Sequence, residues 1–500
     1  MSSDLKPGAY DGKPYYEYPT QKDPIDIGVA HQLFLDDYLI ESKDSVHRRV
    51  NQPTKQAGPT MVADKPWEGY GLVFGNIVEV DGKYRLYYKA CNLGGETAAE
   101  YVKRTGHGKH LVCMAESEDG EHFVKKEIAG ASLPNSNVVL DSNMDDFCIV
   151  YDRNETNPEH RFKMLSSVDN WFAGLSSATS PDGIKWTWRQ KHVVPYLGDR
   201  MCYWWDPVKK KHVAWSRNYA IVGVRTITQV ETSDFTKWAD PVNSHPRLII
   251  APDRHDHPDT EIYGGYAFHY HSLYIAYVEV YYKQQQRIDT QLACSRDGKV
   301  WKRMVENQMY MAIDAGGNVV NKMFDICSRD VFLPNGTHGE FDAYWTVPTF
   351  NPPVYKDGKL IIHYEGRPDP HPAAGFSHVR PSMSGAFGKA TLREDGFVSL
   401  DATGTVGKVL TRILKLPAGV KGLDINACIF NNRAGYDPMG LGVDIISAET
   451  GQVIESFNYT GKPSLDQTWL SLEATRAWPE QVRIRFHLKN GRLYSFRARV

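Results

Sequence analysis

Nine acidic residues stand in short stretches that each lead into a run of β-forming residues: Asp64 and Glu68 in "VADKPWEGYG", Asp145 and Asp146 in "NMDDFCIVYD", Asp199 in "LGDRMCYW", Asp259 and Glu261 in "HPDTEIYGG", and Glu340 and Asp342 in "GEFDAYW". Two carboxyl groups held on either side of one bond are the equipment for general acid–base work. One is protonated to donate to a leaving oxygen, and the other is ionised to activate water or attack carbon, as glycoside hydrolysis requires. Crowding several acids raises the pKa of one member, because neighbouring negative charge disfavours ionisation. Asp199, Glu261 and Asp342 are the leading catalytic candidates and Glu68 the fourth, with Glu261 as proton donor and Asp199 or Asp342 as base or nucleophile.

The residues around these acids fit a saccharide. Trp67, Tyr203, Trp204, Trp205, Tyr263, Tyr281, Tyr282 and Trp345 lie beside them in sequence, and aromatic planes offer contact area to the C–H faces of sugar rings at little entropic cost. Cations follow at Lys89, Arg217, Arg367, His371, His378 and Arg380, a rim suited to an acidic or sulfated sugar. The expected substrate-binding set is Trp67, Asp146, Arg200, Asp259, Tyr263, Arg367 and His371.

Such distant acids meet only if a repeated scaffold gathers them. Four copies of one phrase supply it: "SEDGEHF" at 117–123, "SPDGIKW" at 180–186, "TSDFTKW" at 232–238 and "SRDGKVW" at 295–301, their central acids Asp119, Asp182, Asp234 and Asp297 spaced by 63, 52 and 63 residues. Ser or Thr and Asp bond nearby backbone amides, Gly takes the positive-φ position, and the aromatic packs inward. These four acids therefore read as scaffold. A second recurring element is a strand: "VDGKYRLYYKA", "PEHRFKMLSSV", "VKKKHVAWSR", "YHSLYIAYVEV" and "KDGKLIIHYEG". Blade-sized spacing, β-branched and aromatic runs, and 41 Gly with 28 Pro as punctuation predict an all-β chain, a five-bladed β-propeller followed by a C-terminal β-sandwich.

The expected division is an N-terminal lead over 1–30, the propeller over 31–401 and the sandwich over 402–500, with "GKATLREDGFVSLD" (388–401) supplying the strand that closes the ring. In a propeller the first strand of each blade lines the channel. That is why acids at the starts of those strands are the candidates.

With "LFLDDYLIE" at 33–41 and "LREDGFVSLD" at 392–401, these features resemble the five-bladed propeller glycoside hydrolases of the family 32 and 43 type, in particular bacterial family 32-like proteins. The resemblance covers about residues 31–500. It implies a glycosidase with three acids on inner strands of different blades, here exo-acting in a funnel on an oligo- or polysaccharide. The Trp-Met-Asn-Asp-Pro, Arg-Asp-Pro and Glu-Cys stretches of family 32 do not stand at the matching places. A non-catalytic carbohydrate-binding propeller and a polysaccharide lyase are the alternative readings.

A net charge of −2 with interspersed signs offers no basic face for nucleic acid and no membrane-binding segment. Seven scattered cysteines without a Cys-x-x-Cys pair indicate neither a disulfide framework nor a zinc site. In "DRHDHPDTE", His255, His257, Asp259 and Glu261 alternate, but the stretch is a Pro-containing loop without the spacing of strong zinc motifs. No metal ligand is assigned and no cofactor is required; a structural calcium in the central channel, as in some relatives, would leave no sequence signature. The chain reads as soluble. Its compartment, secreted, periplasmic or cytoplasmic, and its oligomeric state are left open.

Overall fold

The computed structural model describes residues 24–69, 71–91, 110–141, 144–168, 174–194, 200–218, 223–238, 247–304, 309–313, 319–324, 329–371, 385–429, 440–459 and 469–500. The protein is all-β: among the described residues the one helical element is a 3₁₀ turn at Pro158–His160. None is a helix long and apolar enough to cross a membrane.

Three four-stranded antiparallel sheets follow one another along the chain. The first holds Leu72–Val80, Lys83–Cys91, His110–Ser117 and Val138–Asp141. The second holds Met144–Tyr151, Phe162–Val168, Leu175–Ser180 and Thr187–Val194. The third holds Met201–Asp206, Lys211–Asn218, Thr226–Thr232 and Arg247–Ile250. A ten-stranded sheet comes next. Thr260–Tyr270, Leu273–Tyr282 and Arg287–Ser295 form its first meander, and a single parallel pairing of Ile288 with Trp345 joins it to a second meander of Trp345–Pro348, Lys359–Arg367 and Ala386–Arg393. The opening strands of successive sheets touch, and Leu72–Val80 also touches Lys359–Arg367 and Ala386–Arg393, so the series returns to its start.

Each quoted recurring stretch holds the second strand of a meander. The "VDGK" and "KDGK" turns place Asp81 and Gly82 at φ 50° and 83°, and Asp357 and Gly358 at 50° and 74°. Both central residues of such two-residue hairpins need positive φ, which Asp-Gly supplies.

The repeated hairpins are scaffold, as their chemistry predicts. Asp182 Oδ1 accepts from the backbone N–H groups of Ile184 and Lys185, both at 2.8 Å, and Ser180 Oγ from that of Gly183 at 2.8 Å. Asp119 and Asp297 repeat the pattern. These three hairpins also grip a neighbouring sheet. Arg85 donates to Asp182 O at 2.6 Å, His363 Nε2 lies 2.9 Å from Gly120 O, and Lys209 donates to Gly298 O at 2.9 Å.

Strands packed on both faces read as nearly continuous apolar runs, as in Thr260–Tyr270. Outside the ring, a seven-stranded and a six-stranded sheet bury one shared core containing Phe34, Leu400, Ile425, Val443, Phe486 and Phe496. Some of their strands alternate instead, as Gln481–Lys489 does.

Two expected boundaries are corrected. Ile25–Asp26, Gln32–Leu33, Ile40–Asp44 and His47–Val50 pair with C-terminal strands rather than opening the ring, as does Val398–Ala402. The outermost strand beside Ala386–Arg393 is Thr54–Lys55, paired through Ala390–Lys55 and Thr391–Thr54. The ring is thus closed by a strand from its N-terminal side, and 388–401 supplies the partner of that strand plus one strand of the two-sheet body. The reason is burial: Phe34 and Leu39 are apolar residues whose partners lie in the C-terminal half.

Candidate functional site

Where the opening strands meet, one arginine gathers acids from two sheets. Arg200, directly ahead of Met201–Asp206, has φ 44°. Its Nε donates to Glu279 Oε2 at 2.6 Å and its Nη2 to the other oxygen of the same carboxylate. Its Nη1 lies 3.6 Å from Asp146 Oδ2. The guanidinium is stacked over Phe74 at 4.8 Å and Phe350 at 4.4 Å. A Cβ at residue 264 would collide with the Arg200 side chain, so Gly264, beside a register shift in its strand, makes the space. Burial alone would lower the Arg200 pKa; the carboxylates of Glu279, Asp146 and Glu365 outweigh it and hold the guanidinium well above its ordinary value.

Asp146 sits at a bulge in the Met144–Tyr151 strand and accepts from the backbone N–H groups of Phe147 at 2.8 Å and Met201 at 3.1 Å. Glu365, on Lys359–Arg367, accepts from Phe74 N at 2.7 Å and from Arg367 Nε. Arg367 lies 3.7 Å above the Trp345 ring and 5.4 Å from that of Phe74, and Lys89 Nζ lies 4.3 Å from the Phe74 ring. Phe74 itself has φ 54° at a bulge between Val73 and Asn76. A bulky side chain in that region costs about 1–3 kcal/mol and persists only where its surroundings hold it. The carboxylates of Asp146, Glu279 and Glu365 are 0–2% exposed. They come from three meanders and share cationic and aromatic neighbours.

An aromatic wall continues from this cluster. Tyr263 Oη lies 3.0 Å from His371 Nε2, and His371 stacks on Trp345 at 5.2 Å and 12°. Arg217 lies 4.5 Å above the Tyr263 ring and Arg225 5.1 Å above that of Tyr281. Arg225 also binds Glu261, which has Lys283 Nζ at 3.3 Å. Glu261, Arg225 and Lys283 form the more exposed margin.

Of the expected residues, Asp146, Arg200, Tyr263, Arg367 and His371 thus share this region, with Glu261 at its edge. Others stand elsewhere. Glu68 is fully buried and accepts from the backbone N–H groups of Asp64 and Lys65, from Tyr88 Oη at 2.6 Å and from Lys125 Nζ at 2.7 Å, all within the first sheet and its loops. Its neighbour Trp67 donates to Asn137 Oδ1 at 2.8 Å in the same network. Asp342 binds Lys55 Nζ at 2.8 Å and Tyr364 Oη at 3.0 Å. Tyr364 and Glu365 are consecutive in one strand and point to opposite faces, so Asp342 lies across the sheet from the acid cluster and shares no partner with Glu261. Asp259 secures a turn by accepting from Gln284 N at 3.0 Å and bonding His257. Burial raises its pKa, but these partners prevail and hold it below the usual carboxylate range. Asp199, His378 and Arg380 lie outside the described residues.

Glu279 and Glu365 were missed by reasoning from opening strands. Their signal is an acid inside an otherwise apolar second strand, in "YVEVYY" and "IIHYEGR". Such a buried charge needs a partner.

Two groups of described residues bring three metal-ligating atoms together. Asp119 and Glu121 already take Lys356 Nζ at 2.9 and 2.8 Å. His31 and His271 are stacked at 3.8 Å and 14°, so their in-plane lone pairs run parallel rather than converge, and Arg497 Nη1 sits 2.9 Å from His31 Nε2. Neither arrangement suits a cation.

No family model matches the chain, and no curated protein matches it. Among solved structures it is similar to one described as a glycoside hydrolase, at 11% identity and a TM-score of 0.42, covering 68% of this chain and 92% of that one. It is similar to an N-acetylgalactosamine deacetylase from F. plautii in complex with blood group B trisaccharide, at 13% and 0.42, covering 71% and 97%. A thermostable family-43 glycoside hydrolase gives 13% and 0.42, covering 68% and 94%.

Proposed function

We propose that the chain is a carbohydrate-active enzyme of the propeller glycoside hydrolase type, a five-bladed ring with an accessory β-sandwich, cleaving a glycosidic bond at the cluster of Asp146, Glu279 and Glu365. The observation that carries this reading is the meeting of three buried carboxylates from three meanders around Arg200, Phe74 and Arg367. Glycoside hydrolysis needs paired carboxyls, and a cluster drawn from several sheets supplies them on a rigid frame. Glu261 at the margin is the fourth member. Tyr263, with the buried Trp345 and the His371 ring stacked on it, forms an aromatic wall beside the cluster.

A second reading, elimination by a polysaccharide lyase, is favoured by one contact. Tyr263 Oη and His371 Nε2 are 3.0 Å apart, with Arg217 and Arg225 beside Tyr263 and Arg367 beside Trp345. In such a reaction a base removes the proton next to a uronate carboxylate, cations neutralise that carboxylate, and the leaving oxygen departs as a double bond forms.

Incubating the protein with neutral and acidic plant and marine oligosaccharides, with products followed by NMR, tests both. Hydrolysis yields a new saturated reducing end, released first as one anomer; elimination yields an unsaturated uronate. Saccharide binding with neither product across the panel would overturn the catalytic reading and leave a binding propeller.

A further inference from the structure

A cavity of about 510 Å³ opens where the last meander of the ring meets the six-stranded sheet, lined by Arg49, Asn51, Asp330, Arg393, Arg492 and Tyr494 among others. That volume falls in the range of about 300–1,000 Å³ typical of small-ligand pockets, which favour junctions between packed bodies. None of these residues belongs to the acid cluster.

The three arginines come from different strands, and each is held by an acceptor. Arg49 Nε and Arg492 Nε both lie 3.2 Å from Asp401 Oδ2, so one carboxylate oxygen fixes two guanidiniums. Arg393 Nη2 donates to Asn426 Oδ1 at 2.6 Å, and its guanidinium stacks 4.0 Å above the Tyr494 ring. Asn51 donates to Gly396 O at 3.0 Å and to Ser399 Oγ at 3.2 Å, and Gln52 to Val331 O at 3.1 Å, which ties the remaining wall in place. The lining carries three guanidiniums and the carboxyl of Asp330, and with Asp401 paired to Arg49 and Arg492 the cations still outnumber the carboxyls. Burial raises the Asp330 pKa against the opposing effects of the Val50 N–H and Arg49. Guanidiniums fixed in advance bind planar or tetrahedral oxyanions with little ordering left to do.

We propose that this cavity is a second binding site, which takes an oxyanion-bearing saccharide unit, the carboxylate of a uronic acid or a sulfate ester, on Arg49, Arg393 and Arg492. The oxyanion follows from the three arginines. The sugar follows from the volume, which is far more than an oxyanion fills, and rests on the carbohydrate reading above. The site would hold an acidic polymer to the body while another part of it is worked on at the ring.

Hydrogen exchange followed by mass spectrometry on the full chain tests this, because it locates binding and does not depend on turnover. The probes are galacturonate oligomers, a sulfated oligosaccharide, a neutral oligosaccharide of the same length, and inorganic sulfate. Slower exchange over residues 47–55 and 389–396 with either acidic oligosaccharide, absent with the neutral one, and lost or reduced at least tenfold in affinity in Arg49→Gln and Arg492→Gln, is the expected result. Arg49 is half exposed, so its replacement keeps the fold. Equal protection by the neutral oligomer, equal protection by inorganic sulfate, unchanged affinity in both variants, or no protection there would each overturn the proposal. A failure here with cleavage intact would leave the reading of the acid cluster standing; loss of cleavage with protection intact would do the reverse.

Discussion

The carboxylate of Glu365 accepts the backbone N–H of Phe74 at 2.7 Å, across the seam where the last meander meets the first. It holds an aromatic residue in the left-handed region, and the Phe74 ring in turn lies beside Lys89, Arg200 and Arg367. One side chain thus ties the closing seam of the ring to the geometry of the site.

Glu365→Gln keeps the shape but removes the anion that accepts from Arg367. Breaking a buried pair from one side costs about 3 kcal/mol, so urea unfolding should show a loss of that size. A change under about 0.5 kcal/mol would mean that the seam does not rely on this charge.

Arg200 and Glu279 should be strongly coupled. Lysine cannot reproduce a two-pronged guanidinium contact, so Arg200→Lys and Glu279→Gln are each expected to destabilise. In the double variant the losses should fall short of additivity by about 1–3 kcal/mol. Simple additivity in denaturant titrations would contradict the two hydrogen bonds.

The repeated hairpins predict a stability effect far from the acids. Gly183 has φ 75°, and a Cβ there would strike Tyr87 Oη and Phe162. Gly404→Ala, at a similar φ of 77° with open space around it, should cost only the backbone strain of about 1–3 kcal/mol. Gly183→Ala should cost clearly more, read from its unfolding midpoint, because the clash adds to the same strain.

Asp289 gives a pH signature. Burial pushes its pKa up to about 7, with Arg287 and Arg303 offsetting only part of that. The unfolded chain ionises this group near 3.8, so the folded state holds the extra proton between the two values. Stability contributed by the neutral acid is therefore lost as pH rises through that window. Asp289→Asn removes this dependence: between about pH 4 and pH 8 the variant should gain about 3–4 kcal/mol relative to wild type. Parallel stability–pH curves would exclude the shifted group.

Much of the fold is legible in local chemistry. Asp-Gly turns, the Ser-x-Asp-Gly hairpins and apolar second strands each encode their own conformation. Partner choice across long separations is less so: Thr54–Lys55 carries nothing in its two residues that names Ala390 and Thr391 as neighbours. The acid cluster failed to be read in full for a related reason. Whether an acid in a strand faces the ring's centre depends on strand parity and on which sheet packs against it, and neither Asp342 nor Glu365 reveals this alone. Asp342 has the position expected of a catalytic acid and faces the wrong way, while Glu365, buried in an apolar run, faces the cluster. Arg200 drew notice because it follows a candidate acid, but its place as the hub required Glu279 from another sheet.

The central claim is that Asp146, Glu279 and Glu365 work as one catalytic group. The most direct measurement is turnover and saccharide affinity for Asp146→Asn, Glu279→Gln and Glu365→Gln on whichever oligosaccharide the wild type cleaves. The account predicts that each loses about 10²-fold or more in kcat while still folding and binding the sugar. Three variants that retain near wild-type turnover would contradict it.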